Sequence, residues 1–478
     1  MDSPLALLAL VSHFAFVLAG LLIYAVGTHA RGQRRHPSAA LAWVLTIALL
    51  PYVGLPLYLL LGTRKFARPS HILQHTMPAL RPQEDGLQAC AIATLDGMGL
   101  APPATSRQVR FHADGQAAWD GLAILINSAR VQLDISTFVL GNDALGQRVA
   151  RLLSERAAAG VRVRLLLDSV GSWRTSVMLV RQLRAAGVQV HWFMPLLHNP
   201  LRGRVNLRNH RKLAIADGRR LWSGGRNLAA EYFNGEPRQK PWIDLSFTLA
   251  GALAAQAQDL FDSHWRYSRG PRVADDNKTQ KPPTPASQES PEQATPGYPD
   301  QTLTQMVPSG PDQAEDTFYG LLLTLLFRAE RRVLAVTPYF VPDDSLLTAL
   351  CLAARRGVQV ELVVPARSNH RLADIARARA LRDLVAAGGQ VRLAPGMVHA
   401  KAVVVDDGVA LTGSLNIDSR SLFLNFELMV AFYGSEDIEA VTQWIDGNFH
   451  DLPLHQPAPP SLLRDIAEGL VRWLGFQI

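Results

Sequence analysis

A chain of 478 residues is too long for one ordinary domain and suits two of about 150 to 200 residues with additions. With 48% hydrophobic and 19% charged residues it is no disordered polymer, and most of it must fold around apolar cores. The net charge of +7 suits nucleic acid, an anionic membrane surface or phosphate-bearing substrates without choosing among them, and the two distant cysteines, Cys90 and Cys351, lack metal-ligand spacing and read as buried small hydrophobes.

Residues 1–68 read as two membrane helices. Residues 5–26 carry no full charge, His13 being the only ionisable side chain, and about 20 apolar residues span a bilayer core. A cleaved signal peptide fits poorly, because the start carries Asp2 instead of a basic cluster and the apolar run is too long. A second uncharged run covers residues 38–62, with Pro51 and Pro56 positioned to kink it or end its regular part. Two spans place the long C-terminal part on the same side as the N-terminus. The basic groups then conflict, since Arg31, Arg34 and Arg35 lie between the runs and Arg64, Lys65 and Arg68 follow the second. The expectation is a catalytic part facing the cytoplasm.

Beyond the membrane segments the chain repeats itself. Residues 131–169 and 332–366 each read as an apolar strand, a polar turn, an amphipathic helix, then a glycine and a second apolar strand: GVRVRLLLD from Gly160 answers GVQVELVVP from Gly357. AAGVQV at Ala185 answers AAGGQV at Ala386. Such alternation predicts βαβ units and a mostly parallel sheet covered by helices, in two α/β/α halves at 69–270 and 302–453. Residues 271–301, rich in Pro, Ser, Thr, Gln and Glu, read as a flexible linker. Residues 454–478 read as an amphipathic helix, with Leu463, Ile466, Leu470, Trp473 and Leu474 on one face; it lies on a membrane or packs on the domain.

The chemistry sits in a duplicated constellation. His210, Lys212 and Asp217 form His-x-Lys-x4-Asp, and Asn227 follows in GGRN; His399, Lys401 and Asp406 repeat the pattern, and Asn416 follows in TGSLN. The His-to-Asn separation is 17 residues both times. In extended backbone, His and Lys two apart face one side. Two imidazoles, two ammonium groups and two carboxamides around one centre suit a phosphoryl group. One histidine attacks phosphorus; the other protonates the departing alcohol and then deprotonates the incoming one. The lysines supply the positive charge, so neither a metal nor a cofactor is expected.

This paired motif resembles the phospholipase D superfamily and, within it, the bacterial cardiolipin synthases. The resemblance is carried by NHRKLAIADG, GGRNLAAEYF, VPSGPD at Val307, TPYFVPDD at Thr337, GSLNIDSRSLFLNFE at Gly413, and the second apolar run, AWVLTIALLPYVGLPLYLLLG. It implies two similar halves sharing one active site behind an N-terminal transmembrane hairpin. It implies that Asp217 and Asp406 support the fold of the motif, that Asp244 (in PWIDLSF) and Glu427 (in LNFEL) orient the histidines, and that His210 is the nucleophile. SNHRLADI near Ser368 departs from the plainer aspartate-containing loop expected there. The implied reaction transfers a phosphatidyl group between two phosphatidylglycerol molecules in an anionic bacterial inner membrane, releasing glycerol. The alternatives are a hydrolytic phospholipase D or a transphosphatidylase with another acceptor, then a nuclease of the superfamily or a catalytically silent scaffold. Two membrane spans serve no nuclease, so no nucleic-acid partner is expected.

Overall fold

A computed structural model describes residues 4–30, 37–62, 64–65, 86–195, 205–235, 240–269 and 301–462, with residues 464, 465, 468, 469 and 471. The linker expected at 271–301 lies outside the described residues except at Gln301, as do Asp2, Arg31, Arg34, Arg35 and Arg68.

In the first half the strands are β1 (Ala104–His112), β2 (Gln132–Thr137), β3 (Arg162–Asp168), β4 (Gln189–Phe193), β5 (Leu213–Ala216), β6 (Arg220–Gly224) and β7 (Ser246–Gly251). In the second they are β8 (Thr302–Ser309), β9 (Arg332–Val336), β10 (Gln359–Pro365), β11 (Gln390–Ala394), β12 (Ala402–Val405), β13 (Val409–Gly413) and β14 (Glu427–Phe432). They form one fourteen-stranded sheet in the order β11-β10-β9-β12-β13-β14-β8-β1-β7-β6-β5-β2-β3-β4. Strand n of the first half corresponds to strand n+7 of the second, and the order is mirrored about the antiparallel β1–β8 pair, where Ala104 faces Thr304.

The sheet corrects one expectation. Within the first half only β2–β3 and β3–β4 pair in parallel, and within the second only their counterparts do; the other pairings in this sheet are antiparallel. The reason is local. Asp217 and Gly218 both have positive φ, at 54° and 66°, and turn the chain straight back from β5 into β6. Asp-Gly between apolar runs is a hairpin signal, and it outweighs the βαβ pattern upstream.

Four helices recur in the two halves: α5 (Gly115–Ser128) with α9 (Thr317–Arg328), α6 (Ala144–Ala158) with α10 (Asp344–Arg355), α7 (Val177–Ala185) with α11 (Arg371–Ala386), and α8 (Ala252–Arg269) with α12 (Ser435–Phe449). Asp143 and Asp343 cap α6 and α10 by accepting from the amides of Gly146 and Leu346, at 2.8 and 3.0 Å. Helix α4 (Leu87–Gly97), grouped with the first half on sequence, instead sets Ala91 and Leu95 into the core of the second beside Phe318 and Leu321. Cys351 is buried there as expected, whereas Cys90 is only half-buried.

The N-terminal region also departs from expectation. Helix α1 (Pro4–Ala30) is one continuous apolar helix. The run at residues 38–62, expected as one helix that its prolines kink or end, is divided into α2 (Pro37–Leu49) and α3 (Pro51–Leu61). Leu50 leaves the helical region at φ −131° and ψ 59°, and Pro51 starts the next helix without an amide proton to donate. At the other end, His455 donates its amide to Val391 O at 2.7 Å and Glu468 pairs with Arg382 of α11 at 2.5 Å, so the described part of the C-terminal stretch packs on the second half. The apolar residues Leu463, Ile466, Leu470, Trp473 and Leu474 lie outside the described residues.

Candidate active site

Each histidine motif stands on extended chain just before a central strand, β5 or β12, and the partner half holds it there. His210 donates its amide to Phe426 O at 2.9 Å, while Phe426 donates to Arg208 O at 2.8 Å. The mirror arrangement has Ile243 donating to Met397 O at 2.9 Å and His399 donating to Ile243 O at 2.7 Å. Each half therefore lays the segment before its acidic residue alongside the other half's histidine.

The result is a crossed pair of carboxylate–imidazole contacts. Asp244 of the first half bonds Nδ1 of His399 in the second, at 2.7 Å. Glu427 of the second half lies 3.3 Å from Nδ1 of His210 in the first. Both carboxylates are fully buried. Burial opposes the charge on Asp244, yet His399, Lys401 and Arg226 together hold its carboxyl below the usual carboxylate range; His210 and Lys212 do the same for Glu427. An ionised carboxylate against Nδ1 fixes the Nδ1–H tautomer and leaves Nε2 as the basic atom.

Two residues along, the side chains turn to the same side as the alternation requires. Lys212 Nζ donates to His210 O at 2.5 Å, and Lys401 Nζ lies 2.8 Å from His399 Nδ1. Burial pushes Lys212 down to about 8 and Lys401 to about 7, against the pull of Glu427 and Asp244. Burial and then Lys401 push His399 down to about 3 despite Asp244; burial also lowers His210. The site thus holds two neutral imidazoles and two lysines tuned close to neutrality.

Asn227 accepts from the Val139 amide at 3.4 Å and bonds the Tyr232 hydroxyl. Asn416 donates to Ser421 Oγ at 3.1 Å, and its buried Oδ1 has no partner among the described residues. Asp217 and Asp406 are not brought to the site. Five residues beyond the lysines, about 16 Å along extended chain, they hold backbone: Asp217 accepts from the amides of Arg130, Val131 and Gln132, and Asp406 from those of Glu330, Arg331 and Arg332, all within 3.0 Å. They anchor the entry of β2 and β9, which is the supporting role the resemblance implies and sets them apart from the catalytic residues they share a motif with.

Several residues escaped sequence reasoning. Arg211, between His210 and Lys212, points to the other side, fully buried, and pairs with Asp312 at 2.8 Å while donating to Glu427 O at 2.8 Å. The aspartate of VPSGPD thereby locks the backbone of one motif to that of the other. Phe138 lies against His210, with ring centroids 4.1 Å apart, and Tyr232 and Trp242 flank His399 at 4.9 and 5.6 Å. Ser414 donates to Glu427 Oε2 at 2.5 Å. The only sequence signal was their nearness to quoted motifs.

Comparison with known proteins agrees with this architecture. A family model described as cardiolipin synthase, phospholipase D-like domain, matches residues 122–265 and 322–450, and one described as phospholipase D-nuclease N-terminal matches residues 20–62. Cardiolipin synthase A of Pseudomonas putida (strain W619) is 33% identical over 437 residues, 87% of each chain. Cardiolipin synthase A of Pseudomonas aeruginosa (strain LESB58) is 33% identical over 451 residues, covering 90% of this chain and 88% of that one. A phosphatidylserine synthase of Haemophilus influenzae Rd KW20, only 14% identical, covers 81% of this chain and 98% of its own with a TM-score of 0.59, which shows a shared fold. With a matched model over more than half its length and relatives at one-third identity along most of it, the chain belongs to the cardiolipin synthase family of the phospholipase D superfamily.

Proposed function

We propose that this protein makes cardiolipin from two molecules of phosphatidylglycerol by way of a phosphatidyl-histidine. Nε2 of His210 attacks phosphorus of the first lipid; the bond from phosphorus to the glycerol oxygen breaks, and His399 gives that oxygen its proton. A primary hydroxyl of the second lipid then attacks phosphorus, His399 takes its proton, and the phosphorus–nitrogen bond breaks. Lys212, Lys401, Asn227 and Asn416 hold the phosphoryl oxygens.

The observation that carries this reading is the crossed carboxylate–imidazole pairing, which supports a single centre served by both histidines. The division of roles rests on its inequality. An acid–base histidine must pass through the imidazolium, which the 2.7 Å contact to Asp244 favours at His399 once an anionic phosphoryl group raises its low affinity for protons. Glu427 sits farther from His210 and divides its charge with Ser414. The rings of Phe138, Tyr232 and Trp242 favour a lipid alcohol over water as acceptor. The catalytic part lies on the cytoplasmic face of the membrane that α1 enters.

The test is the product and its intermediate. Purified protein in vesicles of labelled phosphatidylglycerol is expected to give cardiolipin and glycerol; phosphatidic acid as the main product would favour hydrolysis. His399→Ala should accumulate acid-labile, base-stable phosphate label on His210, and His210→Ala should carry none. Both should lose several orders of magnitude in turnover. Label on His399 in the His210→Ala protein reverses the roles, and full activity in either variant removes the shared site.

A further inference from the structure

The apolar run at residues 38–62 was expected to cross the membrane as a second span. Its contacts with α1 fix a different path. Tyr24 of α1 stacks edge-on against Tyr58 of α3 at 5.2 Å, and its hydroxyl reaches Ala40 O of α2 at 3.5 Å. One turn earlier on α1, Gly20 faces Ile47 of α2 and Leu55 of α3; a Cβ there would sit 2.9 Å from Ile47. Earlier still, Phe16 stacks on Tyr52 at 4.9 Å and His13 Nδ1 lies 3.3 Å from its hydroxyl. Descending α1 from Tyr24 to His13, one therefore meets Ala40 and then Ile47 on α2, but Tyr58, Leu55 and Tyr52 on α3. Helix α2 runs antiparallel to α1, and α3 returns alongside it.

The two short helices touch each other directly. The rings of Trp43 and Tyr58 lie 5.5 Å apart, although 15 residues of straight helix would separate them by about 22 Å. Gly54 permits the approach, since a Cβ there would meet the Thr46 carbonyl oxygen at 2.6 Å. With 13 and 11 residues, α2 and α3 are about 20 and 17 Å long, short of a hydrocarbon core of about 30 Å. Helix α1, with 27 residues, is about 40 Å long. The hairpin is apolar outward, with Leu41, Leu45, Leu49, Leu50 and Val53 all exposed.

We infer that α2 and α3 form a re-entrant lipid-embedded hairpin that enters and leaves the membrane on one face, so that the chain crosses the membrane once, through α1. This rests on the reading that α1 crosses. The hairpin opens at the level of Tyr24 and Gly27, near the end of α1, and its tip lies level with His13. Immediately after it, Arg64 and Lys65 dock on the catalytic body through Asp316, at 2.6 and 3.0 Å. The body thus shares a face with the C-terminal end of α1, and the N-terminus lies on the opposite face. The sequence conflict in charge disappears, because Arg31, Arg34, Arg35, Arg64, Lys65 and Arg68 then all fall on one side, which the positive-inside rule assigns to the cytoplasm. The wedge would fill one leaflet beside the active site: Arg64 stacks over Phe423, at 4.5 Å, in the short helix that follows Asn416.

Single cysteines at Ser3, Gln33, Leu49 and Ser435, in the full-length chain with Cys90→Ser and Cys351→Ala, are labelled by a membrane-impermeant maleimide in spheroplasts and in inverted vesicles. The expected result is that Gln33→Cys and Ser435→Cys label from one side, Ser3→Cys from the other, and Leu49→Cys from neither. Ser3 and Ser435 on one side with Gln33 opposite restores two spans and overturns the proposal, as does a Leu49 label on the far side, which would mean that α2 and α3 both cross. All positions labelling from one face would instead refute the crossing of α1. As a check independent of sidedness, Trp43→Cys with Tyr58→Cys should form an oxidant-induced disulfide, and a straight second helix would lose that cross-link entirely.

Discussion

The two halves of the molecule are built alike and finished differently at the point where they meet. Around His399 the carboxylate is the shorter Asp244, the residue at the turn is Gly225, and Trp242 packs on the imidazole. A Cβ at position 225 would sit 2.2 Å from Asp244 Oδ1, so glycine is what lets this carboxylate approach. Around His210 the corresponding residues are Glu427, Ser414 and Asn425. Ser414 engages one carboxylate oxygen, and the Asn425 amide lies 3.3 Å from the other and 3.4 Å from the imidazole. Repetition supplies two equal frames; three substitutions within the frames suffice to give the two histidines unequal partners, the basis of the separate tasks proposed for them.

That inequality can be broken most directly at the carboxylates. Asp244→Asn should cost about 10³-fold in kcat, within the range for losing an acid–base group, while Glu427→Gln should cost about tenfold. Steady-state kinetics on vesicles of fixed composition reads both, and equal losses would dissolve the distinction drawn between the two histidines.

The lysines sharpen the comparison through pH. Both are charged below their lowered values and neutral above them, so raising the pH removes the positive charge that binds phosphate. The expected profile of kcat/KM falls with an alkaline limb between about 7, from Lys401, and about 8, from Lys212. Bound lipid phosphate restores the charge, so the limb in kcat should lie at higher pH. Lys401→Arg, which stays charged, should remove the earlier part of the limb. A flat profile through this range would show that the lysines stay charged in the free enzyme.

Where the halves agree, the effects should agree. Asp217→Ala and Asp406→Ala each strand three backbone amides and place alanine at positive φ, so each should cost about 2–3 kcal/mol in stability, read by denaturant midpoint. Activity per folded molecule should change little. A large loss in kcat without loss of stability would return these aspartates to the catalytic group.

Much of this was legible in the sequence because it is local and repeated. His210 with Lys212 and His399 with Lys401 announce themselves by spacing, and Val131–Ser169 against Arg332–Ala366 gives the duplication. The crossed pairing was not legible, since Asp244 and Glu427 are each nearest in sequence to the wrong histidine. Arg211 carries no local mark of its role, because its partner Asp312 lies 101 residues along the chain. The mixed sheet could have been anticipated from Asp217-Gly218. The fold of residues 38–62 could not be read from hydropathy, because a re-entrant pair and a single span are equally apolar; Pro51 and Gly54 were the only marks of it.

The crossed carboxylates also set a clock on biosynthesis. A ribosome exposes His210 long before Glu427, and Asp244 long before His399, so no nascent fragment ending in the linker owns a complete acid–base pair. At about 5–20 residues per second, His210 waits roughly 10–40 s for its partner. A half-made enzyme is thereby kept chemically idle until its second half has folded against the first.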